Sequence, residues 1–268
     1  MKSSGRILLL LAIACIFSSH ELFLKSDSHF LKPNTTGELY LFNGTFDTSE
    51  NEITRDRIID AKIIGPGYYF EPTEGDYYGE NNITYLKYTT GASGTYVAGI
   101  STLPKVLEMD AKAFNEYLDH EGLENTIAER QEMKITNKGA KERYSKHVKA
   151  LLQVGDYSSI DFMKPLNYPI EFVPLNNPFE IELGESVAFK LLRNGKPLAN
   201  HIVHYSTSKP GVDAHENESS TKTNANGIMV MKPTEIGKWY VATIHMEKKS
   251  GDVVDYESNW ATLTFEIK

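Results

Sequence analysis

The chain has 268 residues, 40% of them hydrophobic and 24% charged, which is enough for one large or two ordinary domains with their own cores and excludes a disordered tail. The formal net charge of −8 comes without clustered Lys and Arg, so the electrostatic footprint of a nucleic-acid binder is absent. The single cysteine, Cys15, lies in an apolar run at the start, and the rest of the chain can form no disulfide, no Cys-rich zinc site and no thiol nucleophile.

Residues 1–19 have the layout of a secretory signal: Lys2 and Arg6, an apolar run from Ile7 to Phe17, then Ser18 and Ser19. The run is too short to cross a bilayer comfortably, and no later segment has a spanning apolar run. Two processing routes stand open. Cleavage after Ser19 makes His20 the first residue. Alternatively, Ala12-Ile13-Ala14-Cys15 resembles a lipoprotein box, in which Cys15 is lipidated, becomes the N-terminus and ties the chain to a membrane. Either route places the body outside the cytoplasm, in the periplasm or cell envelope.

From Leu22 onward, short alternating segments rich in β-branched and aromatic residues recur: Glu21 to Leu24, Gly37 to Asn43, Ile83 to Tyr88 and Gly94 to Ile100. Gly- and Pro-containing turns such as Gly65-Pro66-Gly67 separate them, which predicts strands. One helical signal interrupts the pattern between Asp110 and Met133, where Phe114, Tyr117, Leu118, Leu123 and Ile127 recur at three- to five-residue steps. Asp110 suits its N-cap, and Gly122 divides it into two pieces. Arg143 to Val154 fits a strand, with Tyr144, Val148, Ala150, Leu152 and Val154 on one face.

Met163 to Pro178 holds Pro165, Pro169, Pro174 and Pro178, which predicts an extended connection between domains. Beyond it, the Asn194-Gly195 turn and the apolar segments around it predict a small antiparallel sandwich of about seven strands. Pro210 to Thr223, dense in polar residues, is expected as an exposed loop. The expected fold is therefore mainly β, with two β-sandwich domains. Residues 20–175 form the first, with a helical insertion near 108–133, and residues 176–268 form an Ig-like or transthyretin-like second.

Several strings together resemble one family. They are Phe114-Asn115-Glu116-Tyr117-Leu118, Glu142-Arg143-Tyr144-Ser145, Lys149 to Gly155, Pro169 to Leu175, Asn194-Gly195-Lys196-Pro197-Leu198-Ala199, Gly237-Lys238-Trp239-Tyr240-Val241 and Asn259 to Phe265. The set is similar to the exported bacterial nickel- and cobalt-uptake accessory proteins, formerly a domain of unknown function. The resemblance covers nearly everything after the signal. It implies a non-catalytic envelope protein that captures or hands on nickel or cobalt, with a membrane metal transporter as partner. Members commonly begin the mature chain with histidine, an acid and an apolar pair, as His20-Glu21-Leu22-Phe23 does, and carry a histidine at the place of His245.

A mature chain starting at His20 offers an α-amine, with a reference pKa of roughly 7.7–8.0, and an imidazole on one residue, and both can chelate a metal. With no thiolate available, nitrogen and oxygen donors suit nickel, cobalt, copper or zinc. Lipidation at Cys15 removes that free amine. His245 is the expected second ligand, on a strand face with Trp239, Val241 and Thr243 that lies off the sandwich core, and His29 is a fallback. His201 and His204 point to opposite faces of one strand, and His120 and His147 are expected on the surface.

Catalysis finds no support. There is no nucleophile elbow, phosphate loop, dinucleotide fingerprint or His-Glu-x-x-His. Asp213 to Glu218 lacks calcium-loop spacing and is expected to be a solvated loop. The alternatives are an envelope adhesion or scaffold module without metal, and a carbohydrate-binding module using the tyrosine-rich segments at Tyr68 and Tyr77.

Overall fold

The computed structural model describes residues 21–209 and 212–268. The expected signal, Cys15 and His20 lie outside the described residues. The body is mainly β. The first half of the chain runs through β1 (Glu21–Lys25), β2 (Phe30–Leu31), β3 (Thr36–Gly44), β4 (Ile58–Gly65), β5 (Tyr68–Phe70), β6 (Tyr77–Glu80), β7 (Ile83–Thr89), β8 (Gly94–Thr102) and β9 (Lys105–Met109). Helices α1 (Ala111–His120) and α2 (Glu124–Glu132) follow, with β10 (Ala140–Val154) after them. The rest comprises β11 (Ile170–Pro174), β12 (Val187–Arg193), β13 (Lys196–Pro197), β14 (Ile202–Thr207), β15 (Ser219–Lys222), β16 (Ile228–Met231), β17 (Gly237–Lys248) and β18 (Tyr256–Ile267). No helix among the described residues is long and apolar enough to cross a membrane.

The helical interruption forms as its residues dictate. Asp110 accepts a hydrogen bond from the Ala113 N–H at 2.9 Å, capping α1. Gly122, at φ +64, supplies the left-handed turn that ends it. The apolar stripe of Phe114, Leu118 and Leu123 then packs on Ile244, Met246, Tyr256 and Trp260. Trp260 is therefore buried beneath the helices.

A ten-stranded sheet, ordered β15-β14-β17-β18-β10-β8-β4-β5 with β2 and β9 also paired to β10, forms the middle layer. β10 and β18 run parallel from Glu142↔Tyr256 to Ala150↔Thr264, which joins strands from before and after residue 175 in one sheet. Alternation along β10 sends Val148, Ala150, Leu152 and Val154 to one face, where they meet Leu22, Leu24, Leu39 and Leu41 of the β1-β3-β7-β6 sheet. Leu151 faces the other way, into a core with Phe172, Phe189, Val241, Leu263 and Phe265 beneath the β11-β12-β13 sheet, which also includes β16. Three layers thus share the central sheet. Where an extended connection is expected, Ile170–Pro174 forms a strand with all five residues buried, because Phe172 and Ile170 complete the second core.

This sharing carries a stability consequence. A fragment of residues 176–268 keeps Trp239, Phe189 and Phe265 but loses Val97, Leu151, Phe162 and Phe172 from the same core, and leaves β18 without its parallel neighbour. It is expected to show no cooperative urea unfolding transition by circular dichroism, whereas the longer chain does.

Candidate metal centre

The centre grows from β1. Leu22 and Leu24 of this strand enter the first core, so Glu21, Phe23 and Lys25 face the other way. Phe23 is seated against Phe46 at 5.1 Å and Tyr240 at 4.9 Å between ring centroids. That packing fixes the strand and carries Glu21 indoors with it, where its residue is only 7% exposed. Its Oε2 is buried and has no hydrogen-bond partner among the described residues.

The second contributor is the segment after Val212. In place of the expected solvated loop, Asp213 caps a short 3-10 turn, Ala214–Asn217, by accepting from the His215 N–H at 3.0 Å. Ala214 is buried beside Phe23, Phe46, Tyr240 and Ala242. Its backbone is held at both ends, since the Ser206 hydroxyl donates to its carbonyl at 2.7 Å and its N–H donates to Asp47 at 3.2 Å. The chain then enters β15, paired to β14 with Tyr205↔Ser219 in register. One apolar anchor and this strand pairing therefore deliver His215 and Glu218 to Glu21.

Ligating atoms of Glu21, His215 and Glu218 lie within 4.8 Å of one another. His215 Nε2 is 3.8 Å from Glu21 Oε2, and His215 Nδ1 is 3.5 Å from Glu218 Oε1. The other oxygen of Glu218 is 3.0 Å from His204 Nδ1. The Tyr240 hydroxyl donates to Glu218 Oε1 at 2.7 Å. Burial pushes the Glu21 carboxyl up to about 8, against the pull of His215. The hydrogen bond to Glu218 raises His215 to about 9. Glu218 is held down to about 2: burial opposes this, but the hydrogen bonds from His204, His215 and Tyr240 outweigh it. Chemically this is a half-buried set of imidazole nitrogens and carboxylate oxygens, the donor type that imidazole-preferring divalent transition ions accept.

The histidines singled out from the sequence fall elsewhere. His20 is outside the described residues, one position before Glu21. His245 is half-buried, with Nε2 3.0 Å from Glu247 Oε1 and its ring 5.4 Å from that of His201. Its strand face is not off the core. Trp239 and Val241 on that face belong to the larger core, because their β18 neighbours Phe265 and Leu263 do too. His29 is fully buried with Nδ1 2.7 Å from the Leu151 carbonyl, and burial lowers it to about 4. Neither His29 nor His245 belongs to the Glu21 group. His147 is buried rather than exposed, 2.8 Å from Ser101 Oγ and 3.0 Å from Asn259 Oδ1, since β10 is covered on both faces. His120 is exposed at the end of α1.

Residues 17–247 match a protein-family model described as a domain of unknown function, DUF4198. A search of curated proteins gives no match. Among solved structures, the chain is similar to the D0-D1 domain of intimin, with 12% identity over 91% of this chain and 97% of that one and a TM-score of 0.21. Salmonella alpha-2-macroglobulin mutant Y1175G shares 12% identity over 91% of this chain but only 15% of its own, with a TM-score of 0.24. A marsupial T cell receptor gives 9% identity over 91% and 73%, with a TM-score of 0.21.

Proposed function

The chain belongs to the family of domains of unknown function DUF4198, and we propose that it is a non-catalytic, exported protein that binds a divalent transition metal within the cluster formed by Glu21, His215 and Glu218. One observation carries the reading: a carboxylate oxygen of Glu21 is buried without a hydrogen-bond partner among the described residues, within 4.8 Å of an imidazole and a second carboxylate. Burying such a group unsatisfied costs about 1–3 kcal/mol, a cost that a cation on that oxygen removes. Nickel or cobalt is the cargo that the resemblance to metal-uptake accessory proteins suggests, with copper and zinc accepted by the same donors. A membrane metal transporter is the corresponding partner. Export rests on residues 1–19.

The test is a calorimetric titration of the chain beginning at His20 with Ni(II), Co(II), Cu(II) and Zn(II). At least one ion is expected to bind tightly, and Glu21→Gln is expected to weaken it by about 100-fold or more, a loss of about 2.7 kcal/mol. Wild-type protein that binds none of the four sinks the reading and leaves the adhesion or carbohydrate alternatives.

A further inference from the structure

Glu218 is the most heavily engaged group in the centre. Oε1 accepts from the Tyr240 hydroxyl at 2.7 Å and faces His215 Nδ1 at 3.5 Å, while Oε2 faces His204 Nδ1 at 3.0 Å. Each oxygen thus faces the Nδ1 of a different imidazole. The atoms left over are different ones. Glu21 Oε2 and His204 Nε2 are buried with no hydrogen-bond partner among the described residues, and His215 Nε2 points to Glu21 Oε2 at 3.8 Å. Two donors around one first-row ion, each about 2.0–2.2 Å from it, span at most roughly twice that distance, so the Glu21–His215 pair can bracket an ion with little movement. Glu218 meets His215 through Nδ1 and Glu21 meets it through Nε2, so an ion held by Nε2 lies on the Glu21 side of the ring.

Resting on the proposed metal reading, we infer that Glu218 is a positioning carboxylate and not a ligand, and that the ion binds between Glu21 Oε2 and His215 Nε2. A carboxylate facing Nδ1 holds the proton on that nitrogen, which fixes the tautomer and leaves Nε2 with its lone pair for metal. Glu218 does this for two imidazoles at once, one from β14 and one from the 3-10 turn after Asp213. The Tyr240 hydroxyl and the Ala214 anchor keep it in place. The same carboxylate thus ties the segment that delivers His215 to the sheet that carries His204, and its role is orientation of nitrogen rather than supply of oxygen.

The experiment uses the full mature chain with Cu(II) and Zn(II) as probes. Glu218→Gln keeps the shape but offers only one acceptor oxygen. It is expected to weaken Cu(II) binding about 10- to 100-fold, while the electron paramagnetic resonance signature of the bound ion keeps its nitrogen count and its carboxylate. Glu21→Gln is expected to change that signature. In wild type, nitrogen-15 spectra of labelled histidine with Zn(II) are expected to show His215 protonated at Nδ1 and metallated at Nε2, a readout that needs no variant to fold. A metallated Nδ1 on His215, or a carboxylate ligand lost in Glu218→Gln and kept in Glu21→Gln, overturns the assignment. Wild type that binds neither ion fails the metal reading itself, a different result from binding with Glu218 as ligand.

Discussion

Replacing Lys149 with methionine is expected to lower the unfolding free energy by about 3–5 kcal/mol, the range for breaking a buried ion pair from one side. Lys149 and Glu171 are each about 1% exposed, and Nζ lies 2.8 Å from Glu171 Oε2. The ammonium also donates to the Phe172 carbonyl at 2.8 Å. Burial lowers the lysine pKa, with the glutamate opposing it, so the charged form depends on this one partner. Glu171 does more than neutralise a charge. Its two oxygens accept the backbone N–H groups of Leu166 and Asn167 at 2.8 and 2.9 Å. Asn167 sits at φ +62, so these bonds pin the left-handed turn that leads into β11. Many buried pairs can be replaced jointly by apolar residues at little cost. Here the double variant Lys149→Met with Glu171→Leu leaves two amides and one carbonyl without those partners, and is expected to stay at least as unstable as the single variant. Urea unfolding followed by circular dichroism checks both; a double variant restored to wild-type stability refutes the pinning role.

Local chemistry was legible in the sequence wherever one residue type decides it. Asp110 and Gly122 bound the helices because capping and a positive φ are local demands. Asn194 and Gly195, at φ 49 and 73, make the tight turn between β12 and β13 for the same reason. Ala261, Leu263, Phe265 and Ile267 alternate along β18 and all lie in the larger core, a period-two pattern that a strand imposes. The face of β17 was misjudged because alternation gives two faces and no ranking when both are covered: Tyr240, Ala242, Ile244 and Met246 are more uniformly apolar, yet Trp239 and Val241 enter the larger core.

The candidate site was half legible. Residues at the chain start drew attention to a histidine, while the acid beside it, Glu21, is the one the fold buries. Its partners come from roughly 190 residues later, through a segment whose polar density predicts exposure. Between Asp213 and Thr223 only Ala214 breaks that density, and a single alanine carries no periodic signal; it becomes an anchor packed against Phe23, Phe46 and Tyr240. His204 and Glu218 could not be paired from spacing either, since the β14–β15 register that aligns them is set by strand pairing. His245 is favoured by the family resemblance and its strand position, and the structure gives it His201 and Glu247 as neighbours.

Metal affinity at the Glu21 centre is expected to rise by about 100-fold per pH unit from pH 6 to 8, then more slowly, and to level off above about 9. The sign follows from which form binds. A metal needs the carboxylate of Glu21 and the neutral imidazole of His215, while burial raises the first to about 8 and the Glu218 hydrogen bond raises the second to about 9. Below pH 8 both therefore carry a proton that the ion must displace, and each displaced proton contributes a slope of one in log affinity per pH unit. Without metal the same shifts act on folding in the opposite sense. His215 contributes stability that is full below its ordinary value of 6.5 and is lost as pH rises through about 9; Glu21, also raised, contributes stability that is full below 4.5 and is lost as pH rises through about 8. Glu218, depressed to about 2, contributes above 4.5 and loses that as pH falls through about 2. Metal-free protein is thus expected to become less stable between pH 6.5 and 9 from this centre, while added Zn(II) or Ni(II) raises the melting temperature progressively more over the same window. Calorimetry in buffers of different ionisation enthalpy counts the protons released directly, and an affinity that is flat between pH 6 and 8 places the ion somewhere other than Glu21 and His215.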